Sequence, residues 1–582
     1  MGIDNLSTDK VISTEVLVIG GGGAAVRTAV AAFDAGAKTA VVLKGQRGRS
    51  GATVSPDSPG VAWQLADDCS SDSDSPEAHY RNIVDVGLGM ADPRLARILA
   101  YEVVERSEEL ERWGLQFAPD PEGKKRHYTG YSCFGDQPRA HCILNSGYGH
   151  AGDVVRVLVE QIRARDIEVY ENTFVTDLLV KDGTCAGAMA LGPEGEIVVY
   201  RAGAVILVAG GARQIYPPEP GRTQIDTTGD GYAMALRAGA ELTNMEFTQY
   251  MLHPIQPFPV KAPGVYWALF PKLKNRYGED ALATYLPPGV TREQVMHERT
   301  LHYPFSSRDS SKWLDIAFAS EIRAGRGTAE RGLILDFSEV NLSTFKPSRP
   351  QHMPEDYNRR VELPAGPVQV RPAAHAINGG LRINERAEST LPGLFAAGEA
   401  ATGPHGADRL GGGMVSGSQV FGARAGKFAA EHARNVGVPT LTAATLAKPL
   451  ARLQSFGRGA RDADQVLAAL QEATGTHLIV LRNEKGLETL IARIQELTEE
   501  WLPQVAVKNV HALRRAIEVE NSLLTAELMA RAARMRRESR GSHFREDYPA
   551  QDDENWRVNI IFRDENGKLR QEAGSLEQDT AY

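Results

Sequence analysis

A glycine-rich turn between an apolar strand and a helix constrains the fold of this chain more than any other feature. The β-branched run 15–20 leads into Gly20-Gly-Gly-Gly-Ala-Ala25, a helical stretch covers 26–35, and a second apolar run follows at 39–43. This is the G-x-G-x-x-A fingerprint of a nucleotide-binding βαβ unit. Its first two glycines allow a tight turn and the approach of a pyrophosphate, which the helix N-terminus then faces. The pattern predicts an α/β fold with a dinucleotide site.

The cofactor at this turn is predicted to be FAD rather than NAD. The second strand ends in Leu43-Lys44, where a dehydrogenase would place an acidic residue for the ribose. Two later strands also run into glycines, at Val208-Ala-Gly-Gly211 and at Leu394-Phe-Ala-Ala-Gly398-Glu399. Glu399 offers a carboxylate for a ribose or ribitol hydroxyl. Only a long, extended cofactor reaches three strand ends, and FAD has that shape.

The composition describes a globular protein and argues against some partners. Lys and Arg number 65 against 74 Asp and Glu, so the net charge of -9 argues against nucleic-acid binding. The four cysteines form no C-x-x-C pair and have no spacing for zinc or an iron–sulfur cluster, so no metal is expected. The N-terminus does not resemble a signal peptide, and the longest apolar stretch, 202–212, is too short to span a membrane. We expect a cytoplasmic chain without direct membrane insertion, which reaches a membrane only through a partner.

The order of elements predicts a doubly wound FAD-binding Rossmann-type domain with an inserted α+β capping domain and a C-terminal helical domain. Apolar strands and glycine turns place the FAD-binding domain at 1–244 and 356–435. Between them, 245–355 is rich in aromatic residues and prolines and is predicted to form the capping, substrate-facing domain. Residues 436–582 have mostly helical periodicity and end in a charged tail.

Beyond the glycine turn, the chain carries a set of motifs spread from about Glu15 to Pro549. They are Gly20–Ala25, Arg49-Ser50, Phe134-Gly-Asp-Gln137, Thr228-Gly-Asp-Gly231, Met245-Glu246, His253-Pro254, Ser307-Arg308-Asp309, Glu321–Gly327, His375, Gly379-Gly380, Pro392–Glu399, His405–Gly412 and Glu538-Ser-Arg-Gly541. Together they resemble the flavoprotein subunit of the succinate dehydrogenase and fumarate reductase family, which includes L-aspartate oxidase. The sequence is also similar to the α subunit of adenylylsulfate reductase.

The resemblance implies an FAD-dependent oxidoreductase that transfers hydride between flavin N5 and the CH–CH or C=C group of an organic carboxylic acid. Such chemistry needs a cation that binds the carboxylate and an acid or base for the proton on the neighbouring carbon. By resemblance, Arg308 shuttles the proton and Arg409 clamps a substrate carboxylate. His253 and His375 are further carboxylate contacts, and Phe134 lies over the substrate.

The resemblance also assigns the cofactor contacts and the mode of attachment. Succinate dehydrogenases tether FAD through a histidine after the second strand, but no histidine lies between Lys44 and His79. We therefore expect non-covalent FAD, which favours reduction of an acid over oxidation of succinate itself. The expected contacts with FAD are Gly20, Gly22, Gly23, Ala25, Lys44, Ser50, Gly51, Val175, Gly210, Asp230, Glu399, Arg409, Gly412, Met414 and Val415.

Two segments depart from the family pattern. The Thr-Glu and Arg-Gly-Glu-Gly loop is replaced by 263–271, which contains Trp267 and looks more like adenylylsulfate reductase. Trp267 either lines a substrate pocket suited to a bulkier or monocarboxylic acid, or packs in the core. The Asn-Ser pair of the family is replaced by Gly413-Met414, so backbone groups are expected to contact the flavin ring there.

The arginine-rich segment 531–545 contains six arginines and is expected to be a solvated helix face, or else a surface for an electron-transfer partner. An iron–sulfur partner must then be a separate ferredoxin-like subunit, because this chain has no cluster ligands. Three other functions stay open. They are adenylylsulfate-reductase-like sulfur chemistry, aspartate-oxidase-like amine oxidation, and electron transfer as a subunit whose own pocket is not catalytic.

Overall fold

The structure is a computed structural model, and it describes residues 8–54, 62–67, 74–117, 127–128, 139–142, 150–218, 226–256, 267, 269–302, 304–340, 366–457 and 459–575. The strands are β1 (Thr8–Ile19), β2 (Thr39–Val42), β3 (Ala62–Gln64), β4 (His127–Tyr128), β5 (Ala140–Cys142), β6 (Glu168–Tyr170), β7 (Phe174–Lys181), β8 (Thr184–Leu191), β9 (Ile197–Leu207), β10 (Leu242–Thr243), β11 (Thr248–Gln256), β12 (Lys272–Lys274), β13 (Leu333–Asp336), β14 (Val368–Ile377), β15 (Gly380–Leu381), β16 (Leu394–Ala396), β17 (Val558–Glu565) and β18 (Lys568–Ser575).

The helices are α1 (Gly23–Asp34), α2 (Pro76–Val86), α3 (Pro93–Arg112), α4 (His150–Ala164), α5 (Asp230–Arg237), α6 (Ala281–Tyr285), α7 (Arg292–Leu301), α8 (Lys312–Arg323), α9 (Gly413–Val436), α10 (Ala443–Gln454), α11 (Ala463–His477), α12 (Glu484–Glu496), α13 (Val510–Met535) and α14 (Asp553–Trp556). Among the described residues, no helix combines the length and the apolarity that a bilayer crossing requires.

A seven-stranded sheet forms the centre of the molecule. Its strand order is β6-β2-β1-β9-β8-β7, with β16 paired to β9 on a separate branch. The pairs β6–β2, β2–β1, β1–β9 and β9–β16 are parallel, whereas β8 is antiparallel to both β9 and β7. The buried runs in β1 and β9 are almost continuously apolar, as expected for parallel strands that are covered on both faces.

Helices α1 and α9 pack tightly against each other beside this sheet. Small residues allow the close approach, because a Cβ atom added at Gly426 would lie 2.5 Å from the carbonyl oxygen of Thr28. Gln419 Nε2 also donates a hydrogen bond to the Gly23 carbonyl at 3.2 Å. The N-termini of both helices therefore meet at the carboxyl end of β1, where the glycine turn lies.

A second sheet covers this edge, in the order β11-β14-β13-β12. Its apolar core includes Leu252, Trp267, Leu333 and Val370. The sheet continues past the boundary expected at 355, because β14 pairs with both β11 and β13. The division of the chain into domains stays a proposal, with β14 linking the capping part to the second FAD-binding part.

The C-terminal part is helical from α10 to α13 and then forms a β-hairpin that the helical prediction missed. Strands β17 and β18 are joined at Asn566-Gly567, both with positive φ, and β17 pairs with β10. An Asn-Gly pair between apolar runs favours the two-residue turn whose twist matches a hairpin. The Asn-Gly pair lies within the charged segment 563–572, and these charges had led to the prediction of a tail there.

Candidate functional site

The turn after β1 leaves space for a phosphate group beside the backbone. Gly20 has φ +141°, and a Cβ atom added there would lie 2.3 Å from the Val208 carbonyl oxygen. A Cβ added at Gly22 would meet nothing closer than 3.9 Å, so the space over Gly22 is open. Gly51 faces it with φ +87°. Ala25 is fully buried against the sheet, as the fingerprint requires.

Two helix N-termini point into the same region. Helix α1 starts after Gly22 and α9 starts after Gly412, and neither glycine has a side chain that could cap the first turn. Gly23 N donates to Thr53 Oγ1 at 3.2 Å, and this hydrogen bond holds the 50–54 turn beside the glycine turn 20–23. Met414 and Val415 are partly exposed in the first turn of α9. The partial positive charge of both helix ends suits an anionic cofactor.

Lys44 lies at the other side of this cleft, within a cluster of carboxylates. Its Nζ atom contacts Asp230 Oδ2 at 2.9 Å, Glu518 Oε1 at 3.1 Å and Asp226 Oδ1 at 3.3 Å. Burial acts to lower the Lys44 pKa, but the Asp230, Glu518 and Asp226 carboxylates outweigh burial and raise it. The structure thus brings Lys44 and Asp230 together, and their contact with the cofactor stays a prediction. Glu518 cannot be predicted from a local pattern, because it lies on α13, 474 positions after Lys44 in the chain.

Glu399 is turned toward the protein backbone. Its Oε1 accepts a hydrogen bond from the Ile377 amide at 3.0 Å, and burial raises the pKa of its carboxyl group. Gly211 makes room for it, since a Cβ there would lie 2.5 Å from Oε1. In this arrangement the carboxylate joins the turn after β16 to the end of β14, and its role toward a ribitol or ribose hydroxyl stays a prediction.

The remaining expected cofactor residues line the same edge of the sheet. Ser50 is buried and its hydroxyl donates to the Gln46 carbonyl at 3.0 Å. Gly210 has φ +76° in the turn after β9. Val175 lies near the start of β7 and pairs with Ala190.

Arg409 is held by Gln249, a residue that the sequence analysis did not single out. Gln249 Oε1 accepts from Arg409 Nε at 3.1 Å and from Nη2 at 2.8 Å. A guanidinium has only donors, so the amide oxygen must face it and the amide nitrogen points elsewhere. That nitrogen is buried and makes no hydrogen bond among the described residues. A buried donor of this kind indicates a missing acceptor, such as a ligand.

His375 is placed next to Gln249 by an irregularity in the strand pairing. Gln249 pairs with Ala376 and Tyr250 pairs with Ala374, which leaves His375 in a bulge of β14. His375 is the one exposed residue among the ten of β14, all of which the structure describes. β-bulges commonly redirect a side chain toward an active site.

His253 lies further along β11. It pairs with Arg371, is partly buried, and by the two-residue period of a strand shares a face with Gln249. His253 and Gln249 are four residues apart on this face, or roughly 13 Å along the strand.

Arg308 contacts Asp408, the residue before Arg409. Arg308 Nη2 donates to Asp408 Oδ2 at 3.3 Å and to the Val86 carbonyl at 2.8 Å. The Asp408 side chain is fully buried, whereas that of Arg308 is 24% exposed. Asp408 contacts Arg308, and the next residue, Arg409, contacts Gln249. The two arginines expected to be catalytic are therefore linked through adjacent residues of one turn.

The C-terminal segment 536–545 braces both arginine turns. Gly541 O accepts from Ser307 N at 2.8 Å, and the Ala407 carbonyl accepts from the Ser542 hydroxyl at 3.0 Å. Arg540 Nη1 donates to the Leu88 carbonyl at 2.6 Å, close to the end of α2. The Glu538-Ser-Arg-Gly541 motif thus holds the backbone that carries Arg308 and Asp408.

The expectation of a solvated arginine face at 531–545 is wrong for half of its arginines. Arg536, Arg540 and Arg545 are fully buried, while Arg537 is exposed. Arg536 pairs with Glu246 at 2.6 Å and with Glu538 at 2.9 Å. Buried guanidinium groups need carboxylate partners, and these ion pairs supply them in the interior. The number of arginines in a segment does not show whether such partners exist elsewhere in the chain.

His405 lies beneath the first turns of α9. Its ring would lie 3.3–3.4 Å from a Cβ atom at Gly413 or Gly417, which explains the glycines there. Burial, with a smaller effect of the Arg409 charge, lowers the pKa of His405 to about 3. His405 is therefore neutral under ordinary conditions.

Trp267 and Phe134 are the two residues expected to line the substrate pocket. Trp267 is 1% exposed and belongs to the apolar core of the second sheet. This position favours the alternative in which Trp267 packs in the core over the one in which it lines the substrate pocket. Phe134 lies outside the described residues.

The fold and the site define an FAD-dependent oxidoreductase. Residues 15–415 match the family described as FAD binding domain, and residues 467–580 match the family described as fumarate reductase flavoprotein C-term. The chain belongs to the fumarate reductase-type flavoprotein family, whose members are FAD-dependent enzymes acting on CH–CH groups.

Relatives and solved structures agree with this family. The chain is 33% identical to one subunit of the fumarate reductase (CoM/CoB) of Methanothermobacter marburgensis, over 94% of this chain and 96% of that protein. It is 27% identical to L-aspartate oxidase of Bacillus subtilis, over 97% of each. The Sdh1 complex of Mycobacterium smegmatis in the apo form superposes with a TM-score of 0.82 at 28% identity, covering 98% of this chain and 95% of that one.

Adenylylsulfate reductase from Archaeoglobus fulgidus is more distant. It superposes with a TM-score of 0.75 at 22% identity, covering 99% of this chain and 97% of that one. At this identity the similarity shows a shared fold, and the resemblance stated from the sequence is confirmed at that level.

Proposed function

We propose that this chain reduces the C=C bond of an organic carboxylic acid, or oxidises the corresponding CH–CH group, with non-covalently bound FAD. One observation carries the proposal. The adjacent residues Asp408 and Arg409 contact Arg308 and Gln249 respectively, so a proton-carrying group and a carboxylate-binding group are supported by neighbouring positions of one turn.

The residues present fit FAD. The open space over Gly22 and the two helix N-termini suit its pyrophosphate, and the carboxylates around Lys44 suit the hydroxyl groups of its adenosine part. When bound, FAD supplies the two-electron chemistry at one carbon of the acid. The Gln249 amide nitrogen, which has no hydrogen-bond partner in the described part of the chain, offers a donor toward the cofactor or the substrate.

Arg409 binds a carboxylate of the substrate in this proposal. Its guanidinium is 6% exposed and is oriented by Gln249 and by its contact with the Leu410 carbonyl at 3.1 Å. A rigid guanidinium in a desolvated site binds a carboxylate strongly and withdraws charge from the neighbouring carbon. His375 and His253 add polar contacts from β14 and β11.

Arg308 delivers or removes the proton at the second carbon. The contacts of Nη2 with the Val86 carbonyl and with Asp408 hold the guanidinium in one orientation. Proton transfer to carbon requires a positioned donor, and the carboxylate and the backbone oxygen position this guanidinium. General acid–base catalysis of this kind contributes roughly 100- to 10,000-fold in rate.

We also propose that the enzyme reduces an unsaturated acid rather than oxidising succinate, because no histidine lies between Lys44 and His79 to tether FAD covalently. Two relatives are named as parts of larger enzymes. One belongs to the fumarate reductase (CoM/CoB) of Methanothermobacter marburgensis, and the other is the fumarate reductase flavoprotein subunit of Escherichia coli. For this chain, the corresponding proposal is that its electron partner is a separate iron–sulfur protein.

The class of reaction is tested with the FAD-loaded protein without oxygen. The flavin is photoreduced, and its absorbance is followed after fumarate, larger unsaturated acids or adenylylsulfate is added. Return of the oxidised spectrum with an unsaturated acid supports the proposal. Return with adenylylsulfate alone would favour sulfur chemistry, and amine oxidation would show instead as reduction of the oxidised flavin by L-aspartate.

A further inference from the structure

Asp408 is a buried carboxylate in contact with the arginine that is proposed to carry the proton. Its Oδ2 atom accepts from Ser306 Oγ at 2.6 Å and from Arg308 Nη2 at 3.3 Å. Its side chain is fully buried. A second group that can hold a proton therefore lies directly behind Arg308.

The other oxygen of this carboxylate is not satisfied. Asp408 Oδ1 is buried and accepts no hydrogen bond from any residue that the structure describes. A buried anion with an unsatisfied oxygen is unfavourable, and protonation removes that charge. Burial accordingly raises the pKa of Asp408, while the Arg308 guanidinium and the Ser306 hydroxyl act against this shift.

Among the groups around Asp408, the Arg308 guanidinium, the Ser306 hydroxyl and the His302 ring act most strongly on the pKa of its carboxyl group, and all three lower it. Gly541 closes another side, because a Cβ atom there would lie 2.9 Å from Asp408 Cγ. Packing from the 536–545 segment thus keeps this carboxyl group against Arg308.

We propose that Asp408 holds a proton for Arg308 and passes it to Nη2 after Arg308 has protonated the substrate carbon. This inference rests on the proposed function, because Asp408 acts through Arg308 and is a positioning residue that touches neither substrate nor cofactor.

The transfer is balanced within the pair. The O–H bond of Asp408 breaks as an N–H bond forms at Arg308 Nη2, and the products are a carboxylate and a restored guanidinium. The resulting ion pair is the arrangement observed, with 3.3 Å between Nη2 and Oδ2. The carboxylate regains a proton from water before the next turnover, so one solvent proton is consumed per acid reduced. In the oxidation direction each step is reversed.

The test compares the wild-type FAD-loaded enzyme with Asp408→Asn, using fumarate as the probe and following reoxidation of the photoreduced flavin in H2O and D2O over a range of pH. Asparagine keeps the size of the side chain and offers an oxygen to Ser306 and Arg308, but it cannot hold the proton. We expect reoxidation about 100-fold slower, without the wild-type pH dependence and with a larger solvent isotope effect. Fumarate affinity and FAD content should stay near the wild-type values.

Two further variants keep the test decisive. Asp182→Asn, at an exposed turn, is the matched control and should leave the rate and its pH profile unchanged. Ser306→Ala removes the hydroxyl that stabilises the Asp408 anion, so the fall in rate with rising pH should move to higher pH. This variant also serves if Asp408→Asn does not fold.

The outcomes separate the two proposals. An Asp408→Asn enzyme with the wild-type rate and pH profile, or an unshifted Ser306→Ala profile, overturns the role of Asp408 and leaves the proposed function intact. A wild-type enzyme that no unsaturated acid reoxidises overturns the proposed function, and the role of Asp408 with it.

Discussion

Gln249 Oε1 accepts two hydrogen bonds from the Arg409 guanidinium, from Nε at 3.1 Å and from Nη2 at 2.8 Å. This contact joins β11 of the second sheet to the turn that precedes α9. The orientation of the carboxylate-binding arginine therefore depends on the docking of one sheet against the other.

Replacing Gln249 with leucine removes the oxygen that accepts two hydrogen bonds from the buried Arg409 guanidinium. We expect substrate affinity to fall by roughly 10- to 100-fold, because a hydrogen bond to a charged group contributes about 1.5–3 kcal/mol. The KM for the acid and its Kd for the oxidised enzyme measure this. Gln504→Leu, on an exposed side chain, is the control, and equal affinities of the two variants would show that Gln249 does not orient Arg409.

The open space over Gly22 predicts a selective loss of FAD. The Gly22→Val side chain would occupy this space, whereas the backbone there already has an extended conformation that valine tolerates. The protein should fold and yet bind FAD with a ratio to protein far below that of the wild type. Gly366→Val, where an added Cβ meets nothing within 4 Å, should retain FAD. A Gly22→Val protein with full FAD content would place the pyrophosphate elsewhere.

Burial of His405 predicts sensitivity to acid. Its folded-state pKa of about 3 lies below the unfolded value of about 6.5, so the folded state favours the neutral ring. The stability due to this difference is fully present above pH 6.5 and is lost as the pH falls toward 3, by about 2 kcal/mol at pH 5. Urea unfolding at pH 7 and pH 5 should show a smaller loss for His405→Gln than for wild type. The exposed His511→Gln should behave like wild type, and an unchanged loss in His405→Gln would refute the assignment.

The adjacent residues Arg536, which is buried, and Arg537, which is exposed, allow a matched test of how much the buried ion pairs stabilise the fold. Arg536→Ala leaves the buried carboxylates of Glu246 and Glu538 without this partner, which should destabilise the protein by about 3–5 kcal/mol. Arg537→Ala removes an exposed charge and should change stability by less than about 0.5 kcal/mol. Urea denaturation midpoints compare them directly. Similar midpoints for the two variants would mean that the network does not stabilise the fold.

The sequence predicted the cofactor-binding half well for a physical reason. The turn at Gly20 and Gly22, the strands β1 and β2, and the helix α1 follow one another directly, so local spacing reveals their chemistry. The interval 77–115 has apolar residues at helical spacing, which predicts helix without showing where one helix ends and the next begins. The interval contains two helices, because Gly89 with φ +75° follows the end of α2 and Asp92-Pro93 begins α3.

The residues that the sequence did not reveal depend on long-range contacts. Gln249 reaches Arg409 across 160 positions, and Glu518 reaches Lys44 across 474. Neither belongs to a local pattern, since each becomes important only through its partner. The arginines of 531–545 were misjudged for the same reason, because their carboxylate partners include Glu246 and Glu484, far away in sequence.

The most direct test of the central claim is the reoxidation rate of photoreduced Arg308→Ala by fumarate, or by whichever unsaturated acid reoxidises the wild-type enzyme, without oxygen. We predict a rate lower by at least about 100-fold with FAD still bound, because the proton donor is lost while the cofactor cradle is intact. The exposed Arg537→Ala should retain the wild-type rate. An Arg308→Ala enzyme that is reoxidised as fast as the wild type would contradict the assignment of Arg308 as the acid.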